Sequence, residues 1–162
     1  MAQHICYLIT TEDFDAAIPI DIVHFHEKNA TIIPLLMEVY EFETMVSCAS
    51  EANNVADFHQ STSAFTFEYP TRKALEFVAK ADLKTFGIVY FSDDFMVPED
   101  SSPIFFIENI RRNLAWNDYI SAIHDQLNSA FKSYELLKNE DKYWDFYNAE
   151  EQYFRLLEKN LR

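Results

Sequence analysis

The stretch KTFGIVYF, residues 84–91, sets the reading of the whole chain. From Phe86 to Phe91 every side chain is apolar or aromatic except for Gly87, and Ile88 and Val89 are β-branched. A strand with one wet face alternates, whereas an unbroken apolar run suits a strand covered on both faces. Residues 84–91 are therefore the expected central strand of a sheet.

Its neighbours in sequence supply the rest of that sheet. HICYLIT (4–10) is a second buried strand, DIVHFHEK (21–28) a third, and KNAT a turn. AFTFEY (64–69) alternates Phe65, Phe67 and Tyr69 with Thr66 and Glu68, which reads as a strand with one buried face, stopped by Pro70. TRKALEFVAKADL (71–83) follows as a short helix capped by Thr71. Strand, helix and strand over 64–91 suggest a small crossover unit.

Elsewhere the period is helical. Leu35, Val39, Phe42, Val46, Ala49 and Ala56 recur at three, four or seven, predicting one helix over 34–58 with Pro34 in its first turn. The competing reading makes VYEFETMV (39–46) a strand. Leu36, Met37 and Tyr40 fall on the other side of the helix, so its front half must be central in the fold or bound to something. Thr11 can cap a short helix in TEDFDAA (11–17) that Pro19 ends. After Pro103 the pattern is helical again. Segments 117–138 and 141–162 read as an antiparallel hairpin, the second with Tyr143, Phe146, Tyr147, Phe154 and Leu157 as its core stripe. Trp144 lies off that stripe and is the candidate interface anchor.

The expected fold is thus α+β and helix-rich, with a sheet of three to four strands and a C-terminal antiparallel helical hairpin; the alternative is a mainly α fold. Gly occurs once, which argues against many tight hairpins, because primed turns favour it. Length fits a single domain over 1–162. An apolar share of 49% is ample for a packed core and excludes a disordered chain.

No stretch reaches the roughly 18 apolar residues that span a bilayer, and the N-terminus lacks a basic start, so a cytoplasmic protein is expected. Cys6 and Cys48 read as reduced core residues. The net charge is −14, and residues 1–71 hold eleven acids against one base, Lys28. That imbalance disfavours nucleic acid and anionic membranes as partners and favours a basic protein, whose approach it steers.

Chemistry is sparsely signalled. His24 and His26 stand two apart without an identifiable third ligand, and no CxxC or HExxH occurs, so no metal is expected. Phosphate-cradling loops and the nucleophile elbow need Gly that is not there. The acidic loop SDDFMVPEDSS (92–102) lacks the alternating Asp pattern and Gly of a calcium loop. The sequence therefore points away from an enzyme and from any cofactor, with no catalytic residues.

In size, charge and composition the chain resembles immunity proteins of bacterial toxin systems, although it has no motif from which residues can be carried over. The resemblance implies an acidic cytosolic inhibitor of a basic partner, a nuclease toxin domain above all. A nucleic-acid mimic that blocks restriction or CRISPR machinery is one alternative, and a dimerising or adaptor hairpin is the other. The monomer and the homodimer both remain open. Partner contacts are expected from Glu41, Glu43, Asp93, Asp94, Glu99, Asp100 and Trp144.

Overall fold

A computed structural model describes residues 4–27, 30–92, 104–112 and 140–160. It contains a six-stranded antiparallel sheet in the order β2-β3-β1-β4-β5-β6. The strands are β1 (His4–Thr10), β2 (Phe25–Glu27), β3 (Ala30–Pro34), β4 (Phe86–Ser92), β5 (Ile104–Ile107) and β6 (Ile110–Arg112). The helices among the described residues are α1 (Val39–Ser50), α2 (Val55–Thr62), α3 (Thr71–Lys80) and α4 (Glu140–Asn160).

The run that opened the reading is indeed central. β4 pairs with β1 on one side and β5 on the other, with Leu8 opposite Ile88 and Tyr7 opposite Val89. Cys6, Leu8, Ile33, Ile88, Ile104 and Phe106 share the face that α1, α2 and α3 cover with Phe42, Met45, Phe58, Phe77 and Val78. On the other face Tyr7, Ile9, Ile32, Val89 and Phe105 are also buried. Both faces are dry, which is why β1 and β4 show no polar alternation. Gly87 stands opposite both Ile9 and Phe105, and its missing side chain leaves room for theirs.

Six strands replace the three or four expected, and a mainly α fold is overturned. The scarcity of Gly does not prevent a tight hairpin here. β5 and β6, placed where a helical character was expected, join through Glu108 and Asn109, at φ 49° and 73°. Positive φ at both central residues is what a tight primed hairpin requires, and here it is met without Gly. Tertiary bonds hold it: Glu108 N–H donates to Thr85 Oγ1 at 3.0 Å, Asn109 N–H to the Lys84 carbonyl at 2.8 Å, and Asn109 Oδ1 accepts from Val55 N–H at 3.3 Å. The outer edge of β6 is partly closed by Arg111 N–H bonding the Asn53 carbonyl at 3.1 Å.

AFTFEY is not a strand, so 64–91 is no crossover unit. Ala64 and Phe65 N–H groups turn back onto Ser61 and Thr62 carbonyls, and Phe67 is buried while Phe65 is exposed. Residues 11–17 form no helix either. The Glu12 carboxylate instead accepts from the N–H groups of Lys84 and Thr85, at 2.5 and 2.6 Å, tying this segment to the start of β4. The single helix over 34–58 is two helices. Leu35 N–H still bonds the Cys6 carbonyl at 2.8 Å, so the chain follows the sheet past Pro34, and Glu38 caps α1. Asn54 then starts α2 by accepting from Asp57 N–H at 2.8 Å. Pro70, not Thr71, occupies the cap of α3.

Of the expected C-terminal hairpin, α4 is present and the segment 117–138 lies outside the described residues. Over residues 147–159 of α4, where burial is described, Ala149 and Tyr153 are buried, whereas Tyr147 and Phe154 of the expected stripe are exposed. Cys6 and Cys48 are buried free thiols. Among the described residues no helix is long and apolar enough to cross a membrane.

Candidate functional site

The turn from β3 into α1 is apolar and then acidic, and it forms one wall of a cleft of about 430 Å³. Pro34 is the last residue of β3, Leu36 and Met37 follow, and Glu38 caps the first turn of α1, which holds Tyr40 and Glu41. Glu38 N–H donates to Glu41 Oε1 at 3.4 Å, which orients Glu41 beside the helix start, where negative charge is favoured.

The second wall is Glu68 and Tyr69, on the approach to α3; the third is Glu150, Phe154 and Leu157 of α4. Cys6 of β1 and Tyr90 of β4 close it at the sheet, with Tyr90 stacked on Phe42 at 5.5 Å between ring centroids. Four carboxylates thus line the cleft, and neither Lys nor Arg does so among the described residues.

The walls are set by a buried network. Tyr153 of α4 is 0% exposed; its hydroxyl donates to the Pro34 carbonyl at 2.7 Å and accepts from Val23 N–H at 3.2 Å. The ring meets Tyr69 edge-on at 5.6 Å. Tyr69 in turn donates to the Asp21 carbonyl at 2.5 Å, and the Asp21 carboxylate pairs with Lys73 of α3. One chain of contacts therefore places α4, the approach to α3 and the end of β3 around the cleft.

The field inside is negative. Tyr40 is 64% exposed, yet its phenol is pushed above its ordinary range, first by the Glu41 carboxylate, then by lost hydration, then by Glu38 and Glu68. Burial, and after it Glu41, push the Cys6 thiol up, so it stays protonated and unreactive. Tyr69 is raised to about 12 by burial and then by Asp21. Burial and the neighbouring carboxylates thus hold the Cys6 thiol and the Tyr40 and Tyr69 phenols toward their protonated forms. The arrangement suits holding a cation against aromatic rings.

Other candidates are weaker. A hollow of about 460 Å³ by Ile20, Val23, His24, Arg155 and Leu156 has no carboxylate in its lining among the described residues. His24 and His26 stand edge-to-face at 5.7 Å, with His26 Nδ1 3.1 Å from Thr31 Oγ1. Among the described residues no group of three or more His, Cys, Asp or Glu is placed to hold a metal ion.

Of the residues expected to meet a partner, Glu41 lines the cleft, and Glu43 is exposed on α1 away from it. Asp93, Asp94, Glu99 and Asp100 lie outside the described residues, and Trp144 falls in the part of α4 described by its backbone alone. Glu38, Glu68, Glu150, Tyr90 and Phe154 were not anticipated, because they converge from separate elements. One signal was present: Leu36, Met37 and Tyr40, the surplus apolar side chains of 34–40, all line the cleft. No family model, characterised protein or solved structure matches the chain.

Proposed function

We propose that the chain is a small acidic inhibitor of the immunity type, acting in the cytoplasm by binding and neutralising a basic protein, with a nuclease toxin domain as the expected partner class. The observation that carries the reading is the cleft, where four carboxylates and four aromatic rings meet with no lining cation among the described residues. A nuclease presents Lys and Arg to grip phosphate, and carboxylates on a rigid frame compete for those groups. The net charge of −14 speeds the encounter. Tyr40 and Phe154, exposed at the cleft, supply apolar area that is lost to water on docking.

The test is co-expression with a panel of basic nuclease toxin domains, scoring growth, followed by stopped-flow association of any domain that is neutralised. Protection is expected for at least one domain. Its association rate should fall by an order of magnitude or more between about 50 and 500 mM salt. No protection across the panel, or a rate indifferent to salt, rejects the reading.

A further inference from the structure

We propose that the cleft takes the guanidinium of an arginine, in preference to the ammonium of a lysine, from the protein that docks on it; this rests on the reading of a basic partner. Charge alone would accept either cation. The lining discriminates, because its acceptors are spread and its rings are many.

The carboxylates come from three separate places: Glu38 and Glu41 from α1, Glu68 from the approach to α3, and Glu150 from α4. A lysine ammonium is a compact, strongly hydrated point charge. It gives up much hydration on entry and gains little from a ring face. A guanidinium is planar and weakly hydrated, with five donors in a fixed fork. It can bond to carboxylates on different walls while its flat face lies on an aromatic ring.

Rings line every side: Tyr40 on α1, Tyr69 before α3, Tyr90 on β4 and Phe154 on α4. Leu36, Met37 and Leu157 give apolar surface for the methylene stem. The raised phenol of Tyr40 agrees with this geometry, since Glu41, Glu38 and Glu68 all act on it. A cation seated there would meet four carboxylates that no Lys or Arg accompanies in the lining among the described residues.

The experiment uses the intact chain and three small probes: the N-acetyl amides of arginine, lysine and citrulline. Each is titrated while the ring protons of Tyr40 and Tyr90 are followed by NMR. The arginine probe should shift both rings and bind at least about fivefold tighter than the lysine probe, as expected where stacking and a planar fork count. Citrulline, similar in shape but neutral, should leave them unmoved. The double variant Glu41→Gln, Glu68→Gln should abolish the arginine response while its dispersed spectrum shows that it remains folded.

Equal affinity for arginine and lysine overturns the preference and leaves the basic-partner reading standing. A citrulline response equal to that of arginine overturns both, because charge would then not be what is recognised. Silence with all three probes rejects the inference, and the growth assay judges the wider reading by itself.

Discussion

The hydroxyl of Tyr153 lies 2.7 Å from the carbonyl oxygen of Pro34, joining α4 to the last residue of β3. The Pro34 carbonyl thus takes a side-chain donor, while the next residue, Leu35, still bonds the Cys6 carbonyl of β1. The same hydroxyl accepts from Val23 N–H, so one buried group serves two stretches of backbone far apart in sequence. Every wall of the cleft is within one or two contacts of it.

The first prediction follows from that bond. Tyr153→Phe keeps the ring and removes the hydroxyl, taking a partner from the buried Pro34 carbonyl and from the half-buried Val23 N–H, so stability should fall by roughly 1–3 kcal/mol. Phe154→Ala, one residue along but 52% exposed, should cost under about 1 kcal/mol. Urea melts of the two variants give both numbers. A larger loss for Phe154→Ala would mean that α4 is turned the other way.

Alkaline pH should attack the same network. Tyr69 is raised to about 12, and Tyr153 is also raised, by burial first. For a group whose folded pKa exceeds its unfolded one, the stabilisation is intact below the unfolded value and is lost as pH rises through the folded value. The unfolded phenol titrates near 10. Stability should therefore be level below about pH 10 and fall above it, as Tyr69 ionises toward 12. Denaturant melts across this range check it, with Tyr69→Phe as the control that should blunt the decline. A decline equally steep in that variant would place the alkaline sensitivity elsewhere.

How far the sequence foretold this molecule depends on where the deciding force lay. β1 and β4 were legible because burial on both faces writes itself directly as an unbroken apolar run. α3 was legible from its period. β5 and β6 were not, because their turn is held by Thr85, Lys84 and Val55, all of them more than twenty residues away in sequence. The phase of α4 was misjudged for a similar reason: Tyr153 is buried through its polar tip, which a count of apolar positions does not register. Of the cleft, Glu41 and the surplus apolar residues of 34–40 were visible. Glu68 and Glu150 become neighbours of Glu38 and Glu41 only once the chain has folded.

The turn itself offers a third prediction. Glu108 sits at φ 49°, where a side chain costs about 1 kcal/mol relative to Gly. Its backbone N–H makes the bond to Thr85, so Glu108→Gly keeps that contact and should stabilise the protein by about 0.5–1 kcal/mol. Asn109→Gly also suits positive φ but loses the acceptor for Val55 N–H, and should be neutral or destabilising. Thermal melts of the pair decide it. Equal gains from both would show that the Asn109 side chain contributes nothing to the turn.

The last prediction separates the cleft from mere acidity. Glu41→Gln and Glu43→Gln each remove one negative charge from the same helix, two residues apart. General steering by a net charge of −14 responds alike to both, so association rates should drop slightly and by similar amounts. A direct contact responds only at Glu41, which lines the cleft. Gln at that position retains an oxygen for the Glu38 N–H, so the start of α1 is preserved. Two readouts then diverge. In the free protein, Glu41→Gln should lower the titration midpoint of the Tyr40 phenol, because Glu41 is the largest cause of its rise, while Glu43→Gln should leave it in place. With a neutralised nuclease domain, Glu41→Gln should speed dissociation about tenfold, equivalent to about 1.4 kcal/mol, and Glu43→Gln should barely alter it. Dissociation unchanged in both variants, with the Tyr40 midpoint moved as expected, would show that the cleft is negative but is not where the partner binds.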